Sequence, residues 1–166
     1  MRKIVFLGLW IVMTSASMAQ KSKSVFLEVG GNGGLLSVNF DSRLSNGENG
    51  LGYRAGLGFI PANYAFFISR PTIGTIPVGL NYLIGSHCHY LETGLGLTYY
   101  FFRGTTSDVW GIHENNKGDG ALLIPSIGYR IAPMNKGLQG RLFMSPLIST
   151  AGVVLFWGFS LGYKFL

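Results

Sequence analysis

The last stretch of the chain reads LFWGFSLGYKFL, residues 155 to 166. Every second residue from Leu155 is apolar or aromatic (Leu155, Trp157, Phe159, Leu161, Tyr163, Phe165), while Phe156, Gly158, Ser160, Gly162 and Lys164 stand between them. Side chains alternate across a strand, so a period of two describes a β-strand with one continuous apolar face and one small or polar face. The pattern recurs between turn residues and predicts eight strands: 24–31, 35–43, 51–60, 75–84, 90–102, 121–132, 138–148 and 155–166. Asn32-Gly33-Gly34 reads as a tight turn. SNGEN (45–49), GSHCH (85–89) and MNKG (134–137) read as further turns, and 61–71, 103–120 and 149–153 as loops, the polar stretch 103–120 being the longest.

Composition says what surrounds the apolar faces. Hydrophobic residues make up 48% of the 166 and charged residues 12%, against about 25% charged in soluble domains. A spanning helix needs about 20 consecutive apolar residues, and the longest apolar run is only Ile4 to Met13. A closed β-barrel is the other structure that leaves no backbone group unpaired in lipid. The short run serves a different purpose. Arg2 and Lys3 precede it and Ser17-Met18-Ala19 follows, which predicts a signal peptide over 1–19 and a barrel domain over 20–166. Removing Arg2 and Lys3 lowers the formal charge from +6 to +4, and the basic residues are scattered, so no nucleic-acid partner is expected. Cys88 is the single cysteine, which excludes an intrachain disulfide.

An even number of strands puts both mature termini on one side, the periplasm in a bacterial barrel, and leaves the two longest connections outside. Aromatic residues placed outward by parity sort into two belts. Phe40, Tyr53, Tyr82, Tyr129, Tyr163 and Phe165 fall near the end that holds the termini, and Phe59, Tyr99, Phe101 and Trp157 near the other. Girdles of this kind mark the two interfaces of a membrane barrel. With this alternation and the terminal Gly162-Tyr163-Lys164-Phe165, the chain resembles the small eight-stranded outer-membrane barrels of the OmpA/OmpX type. The resemblance spans nearly all of 24–166. It implies an all-β, antiparallel, up-and-down transmembrane barrel in the outer membrane. It also implies recognition of the C-terminal strand by the barrel-assembly machinery, with Leu166 here following the aromatic Phe165.

Eight strands enclose a space that side chains fill. The inward charges are Glu28, Asp41, Arg43, Arg54, Glu92, Arg130, Arg141 and Lys164. Charges away from water must pair, so they predict an ion-pair plug, with a gated ion path as the alternative. Ile60, Tyr100, Phe102, Ile124, Phe143, Leu147 and Phe156 face inward in the external half. They form either a packed upper core or an apolar pocket above a charged floor. Pro125 and Pro146 fall opposite each other on neighbouring strands. Proline donates nothing to a ladder, so the pair marks either a tolerated bulge or a lateral slot. Barrels that handle acyl chains, such as the lipid A palmitoyltransferase, resemble this arrangement in their apolar lumen and proline-bordered gaps.

Other residues with chemical potential form no motif. His87-Cys88-His89 supplies two histidines on one face, short of the three or four ligands of a zinc site. Ser107, Asp108, His113, Glu114 and Asp119 share a polar loop without the spacing of a hydrolase. No catalytic residue, metal or cofactor is assigned. The expected function is an integral outer-membrane barrel, in contact with membrane lipid, with a structural or surface-interaction role and a lumen closed by side chains. The alternatives are a barrel that binds or passes an apolar or acyl ligand through its external half, and a lipid-modifying enzyme.

Overall fold

The computed structural model describes residues 21–61, 72–107, 113–149 and 152–165, with backbone alone at 103–107, 113–116, 147–149 and 152–154. The predicted signal peptide lies outside the described residues. Eight strands run in chain order: β1 (Lys23–Val29), β2 (Leu36–Arg43), β3 (Gly50–Ile60), β4 (Ile73–Ser86), β5 (His89–Ser107), β6 (His113–Ile131), β7 (Gly137–Ser149) and β8 (Gly152–Lys164). Each pairs antiparallel with its sequence neighbour, and β1 pairs with β8 to close the barrel. No helix among the described residues is long and apolar enough to cross a membrane.

The parity read from sequence is the parity of the barrel. Leu27, Leu57, Leu80, Leu95, Leu123, Leu142, Trp157 and Leu161 all face outward and are exposed. The interior is polar, with Glu28, Asp41, Arg43, Arg54, Glu92, Arg130 and Arg141 all buried. This inversion of the soluble pattern belongs to a barrel that crosses a membrane. The outward rings pack side by side in each belt, Phe40 lying 6.5 Å from both Tyr53 and Phe165 and Tyr99 lying 6.2 Å from Phe101.

At the end holding the termini, the terminal end, connections are short. His87 adopts φ 58° in the tight turn between β4 and β5. The opposite, distal end departs from expectation twice. Within residues 103–120, predicted as a loop, the described residues 103–107 and 113–120 continue the β5–β6 ladder, from Arg103↔Lys117 up to Ser107↔His113. That ribbon is polar on both sides, so it carries no apolar period, yet backbone pairing needs none. The second departure is Asn32-Gly33-Gly34, predicted as a tight turn. The connection instead folds into the lumen as one 3-10 turn, Gly31–Gly33, with Asn32 and Gly33 buried. Gly30, Gly31 and Gly34 have φ of 75°, 82° and 91°, a region that glycine enters without steric cost.

Candidate functional site: a sealed lumen beneath an apolar cavity

The inward charges of six strands meet in one alternating chain. Arg43 pairs with Asp41 at 2.8 Å, Asp41 with Arg130 at 3.1 Å, Arg130 with Glu92 at 2.8 Å and Glu92 with Arg141 at 2.8 Å. Arg141 also pairs with Glu28, which pairs in turn with Arg54 at 3.4 Å. Four guanidiniums thus alternate with three carboxylates across the full width of the lumen. All seven are buried to 5% exposure or less. Burying a charge unpaired is prohibitive, and pairing through oriented hydrogen bonds is what permits it.

Of the eight inward charges named from the sequence, seven meet in this chain. Lys164 is not in this chain. It pairs with Glu48 at 2.6 Å and donates to the main-chain oxygens of Pro133 and Met134, sealing the terminal end. Its position as the last residue of β8 puts it below the other charges. Leu83, Tyr90 and Ala132 form a small buried apolar cluster at the same end. Asn81 is a member that the sequence did not flag. It donates to Asp41 at 2.6 Å and to Glu92 at 3.3 Å, and accepts from Arg43. An inward uncharged amide carries no signal of its own among glycines and serines.

Among the charges lies an aromatic layer, Phe26 on the terminal side of the Glu28 rung and Phe143 on its distal side. The Arg141 guanidinium carbon sits 4.8 Å from the Phe26 ring centre and 4.5 Å from that of Phe143, a cation–π geometry. Phe143, expected in the upper pocket, therefore belongs to the seal. The 3-10 turn rests on this layer. Gly33 N–H donates to Glu28 Oε1 at 3.4 Å, Thr75 donates to Gly33 O at 2.6 Å, and Thr98 donates to Asn32 O at 2.7 Å.

Distal to the turn is a cavity of about 540 Å³. Of the seven residues expected there, Ile60, Tyr100, Ile124 and Phe156 line it. Phe102 instead belongs to the β5–β6 ribbon, opposite Ile73 and Gly118, and the Leu147 side chain lies outside the described residues. Phe156 is 45% exposed, so this region is an open cup and not a packed core. Its wall also takes in Leu35, Ile73 and Leu122, and its polar points are Asn32, Thr75, Thr98 and Ser145. Asn32 Oδ1 and Ser145 Oγ are buried without a partner in the protein.

The prolines border an interruption in the barrel wall. Among the described residues the β6–β7 ladder runs from Ile131↔Gly140 to Ile127↔Met144 and stops, although both strands continue. The same register would set Ser126 opposite Ser145 and Pro125 opposite Pro146. Neither pair is formed.

The remaining candidates are placed in part. His89 Nδ1 lies 2.6 Å from the Tyr129 hydroxyl, and Cys88 O accepts from Ala132 N–H. Among the described residues no three His, Cys, Asp or Glu side chains converge as a metal site requires. Ser107 and His113 face each other on the last rung of β5–β6, and Asp119 accepts from Tyr99 at 2.9 Å. Asp108 lies outside the described residues, as do the side chains of Ser107, His113 and Glu114.

No protein-family model matches the chain, and no curated protein matches it. Solved structures do. The N-terminal β-barrel domain of Pseudomonas aeruginosa OprF is similar at 10% identity, over 87% of this chain and 96% of that one, with a TM-score of 0.58. Ail, the attachment invasion locus protein of Yersinia pestis, is similar at 13% identity, over 87% and 97%, with a TM-score of 0.52. Its complex with the heparin analogue sucrose octasulfate aligns at 12% identity and a TM-score of 0.50. The likeness is one of architecture: the chain has the fold of the small eight-stranded outer-membrane β-barrels.

Proposed function

We propose that the protein is a non-conducting barrel of the bacterial outer membrane that acts at the cell surface, its terminal end in the periplasm and its distal end outside. The observation that carries this reading is the unevenness of the two ends. Turns at the terminal end are short, whereas β5 and β6 run on together to Ser107 and His113 as a polar ribbon past the outward aromatics Tyr99 and Phe101. Short periplasmic turns and long external extensions are the usual asymmetry of such barrels. The ion chain supplies rigidity beneath the ribbon, and the ribbon supplies a surface for contacts outside the cell. Assembly would rest on β8, followed by Phe165, which packs against Phe40, as the ligand strand for the barrel-assembly machinery.

Orientation and role are tested together. An epitope inserted at position 110 is expected to bind antibody on intact cells, and one inserted at position 47 only after the outer membrane is opened. Replacing residues 104–116 by Asn-Gly is expected to leave a heat-modifiable barrel in the membrane while abolishing adhesion of cells to host or matrix surfaces. Labelling at position 47 on intact cells would overturn the orientation. Unchanged adhesion would leave a purely structural role.

A further inference from the structure

We propose that the distal cavity holds one acyl chain of a membrane lipid, admitted sideways through the β6–β7 interruption. The inference rests on the outer-membrane reading above and adds an occupant and a route.

The cavity has the size of small-molecule sites, about 300–1,000 Å³, at about 540 Å³. Its walls are aliphatic and aromatic, as an alkyl chain requires. The interruption leads into it directly, because Leu122 and Ile124 line it from β6 and Ser145 from β7. The level matters too. Outward residues of β6 run Ile131, Tyr129, Ile127, Pro125, Leu123, Ala121 and then Asp119, a charge that marks the distal limit of the apolar band. The break beyond Ile127 therefore lies within the distal half of that band. Unpaired backbone groups do not face hydrocarbon without a partner. Proline is the one residue that leaves no orphan N–H there, and Pro125 and Pro146 stand on the two edges.

A second edge is also unladdered, and the contrast between them is informative. The β1–β8 ladder ends at Val29↔Phe159 while β8 continues to Gly152. There the chain itself fills the space: a Cβ added at Gly30 would lie 2.6 Å from Trp157 O. At the β6–β7 break the edges are Pro125 and Pro146 instead. Its far side is the distal β7–β8 hairpin, which among the described residues is laddered to neither β6 nor β1 beyond Met144 and Phe159. It can tilt without breaking a ladder bond. Ser145, 1% exposed and unpartnered, stands at the opening. Asn32 Oδ1, also unpartnered, marks the polar floor.

The test uses the mature chain folded into phospholipid vesicles doped with a phosphatidylcholine whose acyl chain carries a terminal diazirine. After irradiation, labelled residues are mapped by mass spectrometry. Label is expected on outward Leu95 and Leu123 and also on inward Thr98, Tyr100 or Ile124. In a Cys88→Ser background, a disulfide between Ser126→Cys and Ser145→Cys should abolish the inward label and leave the outward label. Reduction should restore it. Ile124→Trp, which needs no cross-link, should give the same loss by filling the cavity. A parallel arm uses the free diazirine fatty acid. Inward label from the free acid alone, persisting in the stapled protein, would overturn both the lipid source and the lateral route in favour of the distal mouth. Outward label with no inward label would overturn the acyl site while leaving the barrel reading standing. No outward label would overturn the barrel reading itself.

Discussion

Arg141 makes more of the lumen's contacts than any other single residue in the ion chain. It bridges Glu28 and Glu92 with its two terminal nitrogens and lies between the Phe26 and Phe143 rings. Removing one partner of a buried pair leaves charges without compensation and costs about 3–5 kcal/mol. Arg141→Met is therefore expected to lower stability by about that amount in urea unfolding of the folded barrel in lipid vesicles. Arg141→Lys should recover only part, since an ammonium is a point charge that does not fork to two carboxylates. Adding Glu28→Gln to Arg141→Met should cost less than the sum of the two single changes, because one orphaned charge has been removed along with its partner. At Gly31 the argument concerns backbone. Its φ of 82° and its position against the Phe143 ring leave no room for a side chain. Gly31→Ala should cost about 1–3 kcal/mol and dislodge the turn that floors the cavity, read as lost protection of the Asn32 amide in hydrogen exchange. Charges of this kind are legible in a sequence because parity places them inside, where they must pair. Asn81, Asn32 and Ser145 are not, because neutral polar residues are ordinary on either face of a strand.

The strands themselves were legible wherever one face touches lipid and the other does not. All eight follow from period-two alternation, and their outward residues are exposed as the parity requires. The reading failed where that contrast ends. Beyond Phe102 both faces of the β5–β6 ribbon are polar, and at Gly30–Gly34 a run of glycines and one asparagine reads the same for a tight hairpin as for an inward turn. The facing has a direct consequence. Leu95 is outward and 50% exposed, while Thr98 is inward and buried. Leu95→Arg should destabilise the barrel by about 2–4 kcal/mol if it sits near the midplane. Thr98→Ser keeps the hydroxyl that donates to Asn32 O and should cost under about 1 kcal/mol, the removal of one methyl group. Equal losses at the two sites would contradict the facing. The unpaired edges predict a second pattern. Amides of the distal β7–β8 hairpin, 145–149 and 152–158, should exchange faster than those of 140–144 and 159–164, which are laddered on both sides.

Taken whole, the molecule closes its lumen in layers, and the layers differ in kind. Lys164 and Glu48 stand at the terminal end beside the apolar cluster of Leu83, Tyr90 and Ala132. The ion chain follows, its Arg141 held between Phe26 on the terminal side and Phe143 on the distal side, then the 3-10 turn held by Thr75 and Thr98. An ion crossing this path would have to displace main chain as well as side chains. A gate built on charge pairs alone could open by exchange of partners, but here the 3-10 turn is tied to Glu28 through Gly33 and Arg141 is held between two rings, so an exchange would also have to move main chain. The four guanidiniums against three carboxylates add a further barrier to cations through their formal excess of one positive charge. The wild-type protein in planar bilayers is therefore expected to show no discrete conductance steps above the bare membrane. Arg54→Ala is the sharper case. It removes the guanidinium at one end of the chain and brings the formal balance to zero, yet it leaves every other layer in place. It should remain silent too. Steps appearing in Arg54→Ala but not in wild type would mean that the ion chain alone seals the barrel, and would make the gated path the better account of the lumen.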